Sequence, residues 1–295
     1  MYVIIGANGF LGSYIIKTVI EKTEEQVLAV CRNTGEAFLH HERLTWVAGN
    51  VECPEEVDHL ISLMKASESP CKVAYLAAIH NPDTVAKDPR RAWHTNITCL
   101  SAFLEKMENV SCLFYPSTDT VYGEGGDGVH FSEDAAPAPV NIYGIQKATA
   151  EAVVRGFGCS VVRFPFLIAP SLLNHKKHFY DTIVETLKAG KPMEMFVDSK
   201  RSSLDFGTAA SLLVCVMERY SADMPKTLNL SGDEDLSKYD VGLMIARKHG
   251  LDPSLVIPVS SDASDIFKTK RAKSTLLDNT RVKQLLGLES ITIRI

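Results

Sequence analysis

Short apolar runs alternate with longer amphipathic stretches over the first half of the chain. The apolar runs are rich in β-branched residues, as buried strands of parallel sheets are: YVIIG, QVLAVC, LTWVAG, KVAYLAA, SCLFYPS and SVVRF. Helical patterns separate them: FLGSYIIKTVIEK, PEEVDHLISLMKAS, a run from about Thr84 to Glu108, and IYGIQKATAEAVVRG. This repetition predicts an α/β fold with a doubly wound parallel sheet and helices on both of its faces.

The regular alternation of apolar and amphipathic segments ends after about Phe164. The pattern there predicts three strands, MEMFVD, TLNLSG and LVIPVS, that alternate with four helices, the last of which closes at Leu286 and Gly287. We therefore expect a sheet domain over residues 1–163 and a smaller C-terminal lobe over residues 164–295, with segments that return to the sheet domain. The lobe should cover the carboxyl ends of the strands, where doubly wound sheets bind their ligands.

Composition narrows the classes of partner and compartment. A net charge of -5, with 45% hydrophobic and 23% charged residues, gives no electrostatic case for nucleic acid or an anionic membrane. The N-terminus carries no basic leader, and the apolar run AASLLVCVM is about half the ~20 residues that a spanning helix needs. Seven scattered cysteines without a CxxC pair predict reduced thiols in a cytoplasmic protein, with no metal site.

The segment GANGFLG follows the first predicted strand and opens the first helix. Glycines at positions 6, 9 and 12 permit a tight turn, a close approach of the backbone to a pyrophosphate, and close packing of helix on strand. In this position the segment predicts a Rossmann-type dinucleotide site.

The second strand indicates which dinucleotide is bound. QVLAVC ends at Cys31 and is followed by Arg32 and Asn33, without the acid that would accept hydrogen bonds from the ribose 2′-OH of NAD. A guanidinium here suits a 2′-phosphate. These residues favour NADP(H), with NAD(H) as the alternative, although Arg32 could also simply begin a solvated loop.

Two further motifs carry candidate chemistry. LFYPSTDTVYGE places Thr118 and Asp119 after the fifth predicted strand, and NIYGIQK places Tyr143 and Lys147 four residues apart on one helical face. A tyrosine beside an ammonium that lowers its pKa can exchange a proton with a carbonyl oxygen, and a threonine hydroxyl can polarise that oxygen. Taken alone, the first motif could equally be a turn or a helix cap.

GANGFLG, the strand with Ala77 and Ala78, Asn96 in the following helix, STDTVYG, YGIQK and VVRFP occur in an order that resembles the extended short-chain dehydrogenase/reductase family, also described as the NAD-dependent epimerase/dehydratase family. The C-terminal basic stretch resembles in part reductases of the dTDP-4-dehydrorhamnose type. The resemblance implies a serine or threonine, a tyrosine and a lysine as the catalytic set, which corresponds here to Thr118, Tyr143 and Lys147.

The motifs and the resemblance together assign the remaining site residues. The expected cofactor-binding residues are Gly6, Asn8, Gly9, Phe10, Leu11, Arg32, Asn33, Asn50, Val51, Ala77, Ala78, Asn96, Tyr143, Lys147 and Pro165. The expected substrate-binding residues are Thr118, Asp119, Arg163, Lys270 and Arg271. Two alternatives stay open: Arg163 pairs instead with a buried carboxylate, or the basic stretch around Lys270 is a solvated loop.

Family members mostly act on nucleotide-sugars, and the resemblance implies an NADP(H)-dependent oxidoreductase that reduces the keto group of a 4-keto nucleotide-sugar. Thr120 stands where dehydratases have a glutamate, which argues against water elimination. The alternatives are a nucleotide-sugar 4-epimerase and a non-catalytic NADP-binding regulatory subunit. Family habit also allows a homodimer.

Overall fold

The computed structural model describes residues 1–263 and 267–295. Its strands are β1 (Tyr2–Ile5), β2 (Val27–Cys31), β3 (Leu44–Ala48), β4 (Cys71–Tyr75), β5 (Val110–Thr118), β6 (His130–Phe131), β7 (Ser160–Phe164), β8 (Met193–Phe196), β9 (Lys200–Ser202), β10 (Thr227–Asn229), β11 (Asp235–Ser237), β12 (Val256–Val259) and β13 (Ser274–Leu277). Its α-helices are α1 (Phe10–Lys22), α2 (Pro54–Lys65), α3 (Pro82–Lys87), α4 (Pro89–Trp93), α5 (Cys99–Lys106), α6 (Ile142–Gly156), α7 (Phe179–Lys188), α8 (Phe206–Glu218), α9 (Lys238–Lys248) and α10 (Thr280–Leu286). None of these helices is long and apolar enough to cross a membrane.

The main sheet has the order β10-β7-β5-β4-β1-β2-β3, and its neighbouring strands are parallel. The direction in which the chain adds strands reverses at the junction of β1 and β4, which is the point where doubly wound sheets bind ligands. The predicted α/β fold class is therefore confirmed.

β1 shows why a continuous apolar run forms the centre of this sheet. Successive strand side chains point to opposite faces, and both faces are covered by helices. Tyr2 and Ile4 belong to the core that contains residues of α1 and α8, whereas Val3 and Ile5 belong to the core that contains residues of α2, α5 and α6. Every side chain of the strand is therefore buried.

Two segments from the second half of the chain complete the main sheet layer. β10 extends the sheet by pairing with β7, and α8 shares its apolar core with α1. The smaller lobe has a separate core that includes residues of α7, α9, β8 and β12. A second sheet of order β11-β9-β13-β6 lies beside it.

The predicted helix from Thr84 to Glu108 is divided in the structure. α3 ends before Pro89, and the side chain of Asp88 accepts a hydrogen bond from Arg91 to start α4. A proline disfavours helical backbone in the residue before it, which explains the break. A π-helical segment, His94–Thr98, then leads into α5. By contrast, α1 and α6 have the predicted bounds.

Arg163, one of the expected substrate-binding residues, lies in the core instead. It is 2% exposed on β7, and its Nε and Nη2 donate to the carboxylate of Glu151 on α6 at 2.9 and 2.6 Å. Its Nη1 donates to Tyr122 and to the carbonyl of Glu133. The substrate assignment is therefore wrong, because a buried carboxylate and two oxygens already occupy the guanidinium.

We expect Arg163→Met to lower the free energy of unfolding by about 3–5 kcal/mol, because it leaves Glu151 buried without its main counter-ion. Arg155→Met is the matched control: Arg155 also contacts Glu151 but is 35% exposed, so its loss should be below about 1 kcal/mol. Urea unfolding of the two variants measures both values. Equal losses would contradict the assignment.

Candidate active site

A cleft of about 630 Å³ lies at the carboxyl edge of the main sheet, between the glycine loop and the smaller lobe. The expected site residues in its lining are Gly6, Gly9, Phe10, Leu11, Ala78, Thr118, Asp119, Tyr143, Lys147, Pro165 and Arg271. Those outside its lining are Asn8, Arg32, Asn33, Asn50, Val51, Ala77, Asn96, Arg163 and Lys270. The structure thus brings Thr118, Tyr143 and Lys147 into the same cavity as the glycine loop.

The glycine loop packs backbone against backbone. Gly6 has a φ of 92°, in the left-handed region that favours glycine. A Cβ added at Gly12 would lie 2.6 Å from the carbonyl oxygen of Gly6 and 2.9 Å from that of Ala7. α1 begins directly after Gly9 without a side-chain cap. Its N-terminus is therefore open toward the cleft, where it favours an anionic ligand.

A carboxylate lies close to the end of β2. Glu36 accepts hydrogen bonds from the side chains of Asn8 and Asn33 at 3.0 and 3.2 Å, and His175 Nε2 lies 3.2 Å from it. Arg32 is exposed nearby. The strand end itself has no acid, as expected, but the 3-10 turn that follows it adds Glu36, which the sequence reading did not consider.

Thr118 is held by a local hydrogen-bond network at the end of β5. Its Oγ1 donates to Asp119 Oδ1 at 2.9 Å and accepts from the amide of Thr120 at 3.2 Å. Asp119 Oδ2 accepts from Thr275 Oγ1 at 2.7 Å and lies 2.9 Å from Arg201 Nε. Thr118 is therefore both the cap of a 3-10 turn and a residue of the cleft.

Asn141 fixes the start of α6. Its Oδ1 accepts from the amide of Gly144 at 2.9 Å, and its Nδ2 donates to the carbonyl of Lys270 at 2.9 Å. This cap sets where the helix begins, and so directs Tyr143 and Lys147 to one face. Lys270 contributes only its backbone carbonyl to this cap. Its side chain is exposed outside the cleft, as expected if the basic stretch is a solvated loop.

Lys147 makes its contacts with the strand below it. Its Nζ donates to Tyr115 Oη and to the carbonyl of Pro116, both at 2.7 Å, and lies 3.9 Å from the centre of the Tyr115 ring. Burial lowers the pKa of Lys147 to about 7, although the charge of Glu151 opposes this shift.

The electrostatics of Tyr143 differ from the expectation. Burial, reinforced by the charge of Asp119, raises the pKa of Tyr143, while a hydrogen bond with Thr118 and the charge of Arg271 oppose the rise. Lys147 was expected to lower this pKa, and that expectation is wrong for this structure. The Lys147 ammonium donates to Tyr115 and Pro116 on β5 instead, and burial favours the neutral phenol of Tyr143.

The side chains of Asn96 and Asn50 form hydrogen bonds with backbone groups of the protein. Asn96 is buried in the π-helical segment, where its side chain bonds both backbone groups of Ile79 and the side chain of Gln146 on α6. Asn50 accepts from the amide of Glu52. Asn96 therefore ties the loop after β4 to α6, rather than lining the cleft.

Some residues of the lining were missed by the sequence reading, among them His80, Arg201 and Lys238. They come from short loops, from a three-residue strand and from a helix start, which carry no periodic pattern. Arg271 was expected, and its Nη2 lies 2.9 Å from Asp83. In the described part of the chain, no group of three or more metal-ligating side chains could hold a metal ion.

A family model described as "RmlD substrate binding domain" matches residues 1–294. Among curated proteins, the chain is similar to methionine adenosyltransferase 2 subunit beta of Rattus norvegicus, with 24% identity over 96% of this chain and 81% of that protein. It is also similar to a probable low-salt glycan biosynthesis reductase of Haloferax volcanii, with 27% identity over 98% of this chain and 93% of that protein.

Solved structures share the fold along nearly the whole chain. A dTDP-4-dehydrorhamnose reductase from Bacillus anthracis, in complex with NADP, has a TM-score of 0.79 at 18% identity, over 99% of this chain and 94% of that chain. A UDP-glucuronic acid 4-epimerase from Bacillus cereus, in complex with UDP-glucuronic acid and NAD, has a TM-score of 0.81 at 19% identity, over 99% and 95%.

Lys147→Met tests the buried ammonium. Between pH 7 and about 10.5 the folded chain binds fewer protons at Lys147 than the unfolded chain does, so wild-type stability gains with rising pH through this group. The free energy of unfolding of the variant minus that of the wild type should therefore be largest below pH 7 and should fall across this window. Urea unfolding at several pH values measures it. A constant difference would contradict the lowered pKa.

Proposed function

Because the chain belongs to the RmlD substrate binding domain family, we propose that it is an NADP(H)-dependent oxidoreductase that reduces the keto group of a 4-keto nucleotide-sugar. The observation that carries this proposal is the convergence of Thr118, Tyr143 and Lys147 on the cleft that the glycine loop also lines. The similarity to a reductase that binds NADP supports the choice of reaction and cofactor.

The residues of the glycine loop fit a dinucleotide. Gly12 lets α1 pack against the Gly6–Ala7 turn, and the uncapped start of the helix leaves its backbone amides available to a pyrophosphate. Arg32 would hold a 2′-phosphate, and Lys147 and Pro165 line the cleft where the nicotinamide half would lie. When bound, the reduced cofactor supplies the hydride, and the protein supplies position and protons.

The raised pKa of Tyr143 suits the direction of reduction. A neutral phenol at physiological pH carries the proton that the new hydroxyl of the product needs. Thr118 would turn its one hydroxyl proton from Asp119 to the carbonyl oxygen and so orient that oxygen toward Tyr143. Lys147 would bind the cofactor's ribose and keep the end of β5 at Pro116 in place.

Two other functions keep specific support. The similarity to a UDP-glucuronic acid 4-epimerase favours oxidation and re-reduction of one carbon without net cofactor turnover. The similarity to proteins named as a subunit of methionine adenosyltransferase 2 favours a regulatory subunit that binds NADP without turnover. A homodimer also stays a prediction.

Tyr143→Phe tests the reductase proposal. It removes the proton donor but keeps the ring, so turnover should fall about 10²- to 10⁴-fold while cofactor affinity stays within about twofold. Tyr220→Phe, whose ring packs on Phe114 outside the cleft, is the matched control. The assay screens 4-keto nucleotide-sugars with NADPH and NADH, following absorbance of the reduced nicotinamide.

Each result of this screen separates the three functions. Consumption of NADPH with a keto sugar supports the reductase, whereas interconversion of sugar epimers without consumption supports the epimerase. Cofactor binding without any turnover supports the regulatory subunit. If Tyr143→Phe keeps full activity, the assigned role of the tyrosine is wrong.

Arg32→Ala tests cofactor selection without turnover. Loss of the guanidinium should weaken NADPH binding about tenfold and NADH binding less than about twofold, because only NADPH carries the 2′-phosphate. Glu36→Gln should strengthen NADPH binding, because it removes a negative charge from the same place. Fluorescence titration of both cofactors measures the affinities. An equal loss for both cofactors in Arg32→Ala would refute the assignment.

A further inference from the structure

Lys238 is the first residue of α9, and its side chain lines the cleft. The start of a helix carries a partial positive charge, so a lysine is unfavourable there. The acid of the same turn, Asp240, is occupied by the amide and hydroxyl of Ser237 at 2.9 and 2.6 Å. The position of Lys238 is therefore not explained by the stability of its own helix.

The neighbours of Lys238 do not supply a counter-ion. Among the residues that the structure describes, no carboxylate oxygen lies within 4.0 Å of its Nζ. The cleft's two arginines are paired, Arg201 with Asp119 and Arg271 with Asp83, each at 2.9 Å. Lys238 is thus a cation of the cleft wall that has no ion-pair partner in the described ranges.

Aromatic rings hold the ammonium of Lys238 in place. Its Nζ lies 4.3 Å from the ring centre of Phe166 and 5.2 Å from that of Phe179. Both rings also line the cleft. Burial, together with repulsion from Arg201 and Arg271, lowers the pKa of Lys238 to about 8, while Asp119 opposes this shift. A buried cation that is unfavourable at a helix start and has no counter-ion among the described residues is the kind of local inconsistency expected at a functional site.

Lys238 lines the same cleft as Thr118 and Tyr143. The charge of Asp119 acts on both Lys238 and Tyr143, and Asp119 is bonded to Thr118. Phe166 directly follows Pro165, which lines the same cavity. A ligand that fills this cavity can therefore contact Lys238 as well as Thr118 and Tyr143.

We propose that Lys238 is a specificity-determining residue that binds an anionic oxygen group of the substrate, a carboxylate or a phosphate, within the cleft that Thr118 and Tyr143 also line. The inference rests on the proposed function and narrows its substrate to a sugar whose anion reaches this residue. Arg201 and Arg271 raise the local positive potential but are already paired. Lys238 supplies the free charge for a charge-assisted hydrogen bond.

The test measures binding of simple anions to the full chain with NADPH present. Glucuronate represents a sugar carboxylate, glucose is its neutral match, and inorganic pyrophosphate represents a phosphate group. The variants are Lys238→Met, which keeps an apolar stem, Lys238→Arg, which keeps the charge, and Lys248→Met, an exposed lysine in the last turn of α9. Ligand-observed NMR gives the dissociation constants, and thermal unfolding checks that each variant is folded.

We expect Lys238→Met to weaken binding of one anion about tenfold or more, because the variant loses one charge-assisted hydrogen bond. Lys238→Arg should restore most of it, and Lys248→Met should bind as the wild type does. Loss for glucuronate alone identifies a sugar carboxylate, and loss for pyrophosphate identifies a phosphate.

The proposal is overturned if the wild type binds neither anion, or if Lys238→Met binds both as tightly as the wild type. Glucose binding should not change in any variant. The readout is independent of hydride transfer, so a chain that binds anions through Lys238 but reduces no keto sugar would refute the proposed function alone.

Discussion

The buried ammonium of Lys147 connects the two elements on which the cleft depends. The helix α6 provides the lysine, and β5 provides both of its acceptors, Tyr115 Oη and the carbonyl of Pro116. Because a buried charge needs such partners, the helix can lie over the strand end in only a narrow range of positions. That placement brings Tyr143 beside Thr118, and it explains why the Tyr143 phenol is not paired with the lysine four residues later.

The fold was largely predictable because its strongest constraint is local. A strand buried on both faces has to be apolar at every position, and β1, β2 and β7 are buried throughout. The helices α1 and α6 carry clear periodic patterns and have the predicted bounds. The small strands β6, β9, β11 and β13 contain two to four residues each, which is too short for a period, and they form only through pairing with distant segments.

A residue of the candidate site was predictable where the contacts that fix its position come from its own sequence motif. Gly12 is such a case, since its backbone contacts are within its own loop. The burial of Arg163 was not predictable in this way, because its charge is paired with Glu151, a residue of a different motif. Glu36 and Lys238 were missed for the same reason, because their roles depend on tertiary contacts. Glu36 contacts Asn8, and Lys238 contacts two phenylalanine rings.

The return of β10 and α8 to the main sheet has a consequence for how the molecule comes into being. Until residue 229 has been synthesised, β7 is an unpaired sheet edge, and the apolar face of α1 lacks the helix that covers it. The first 163 residues therefore keep an open sheet edge and an uncovered apolar helix face until α8 and β10 have been synthesised. Ser199, Arg201 and Phe206 of the cleft wall belong to the same late stretch of chain, so the sheet edge, the core around α1 and part of the cleft are completed together.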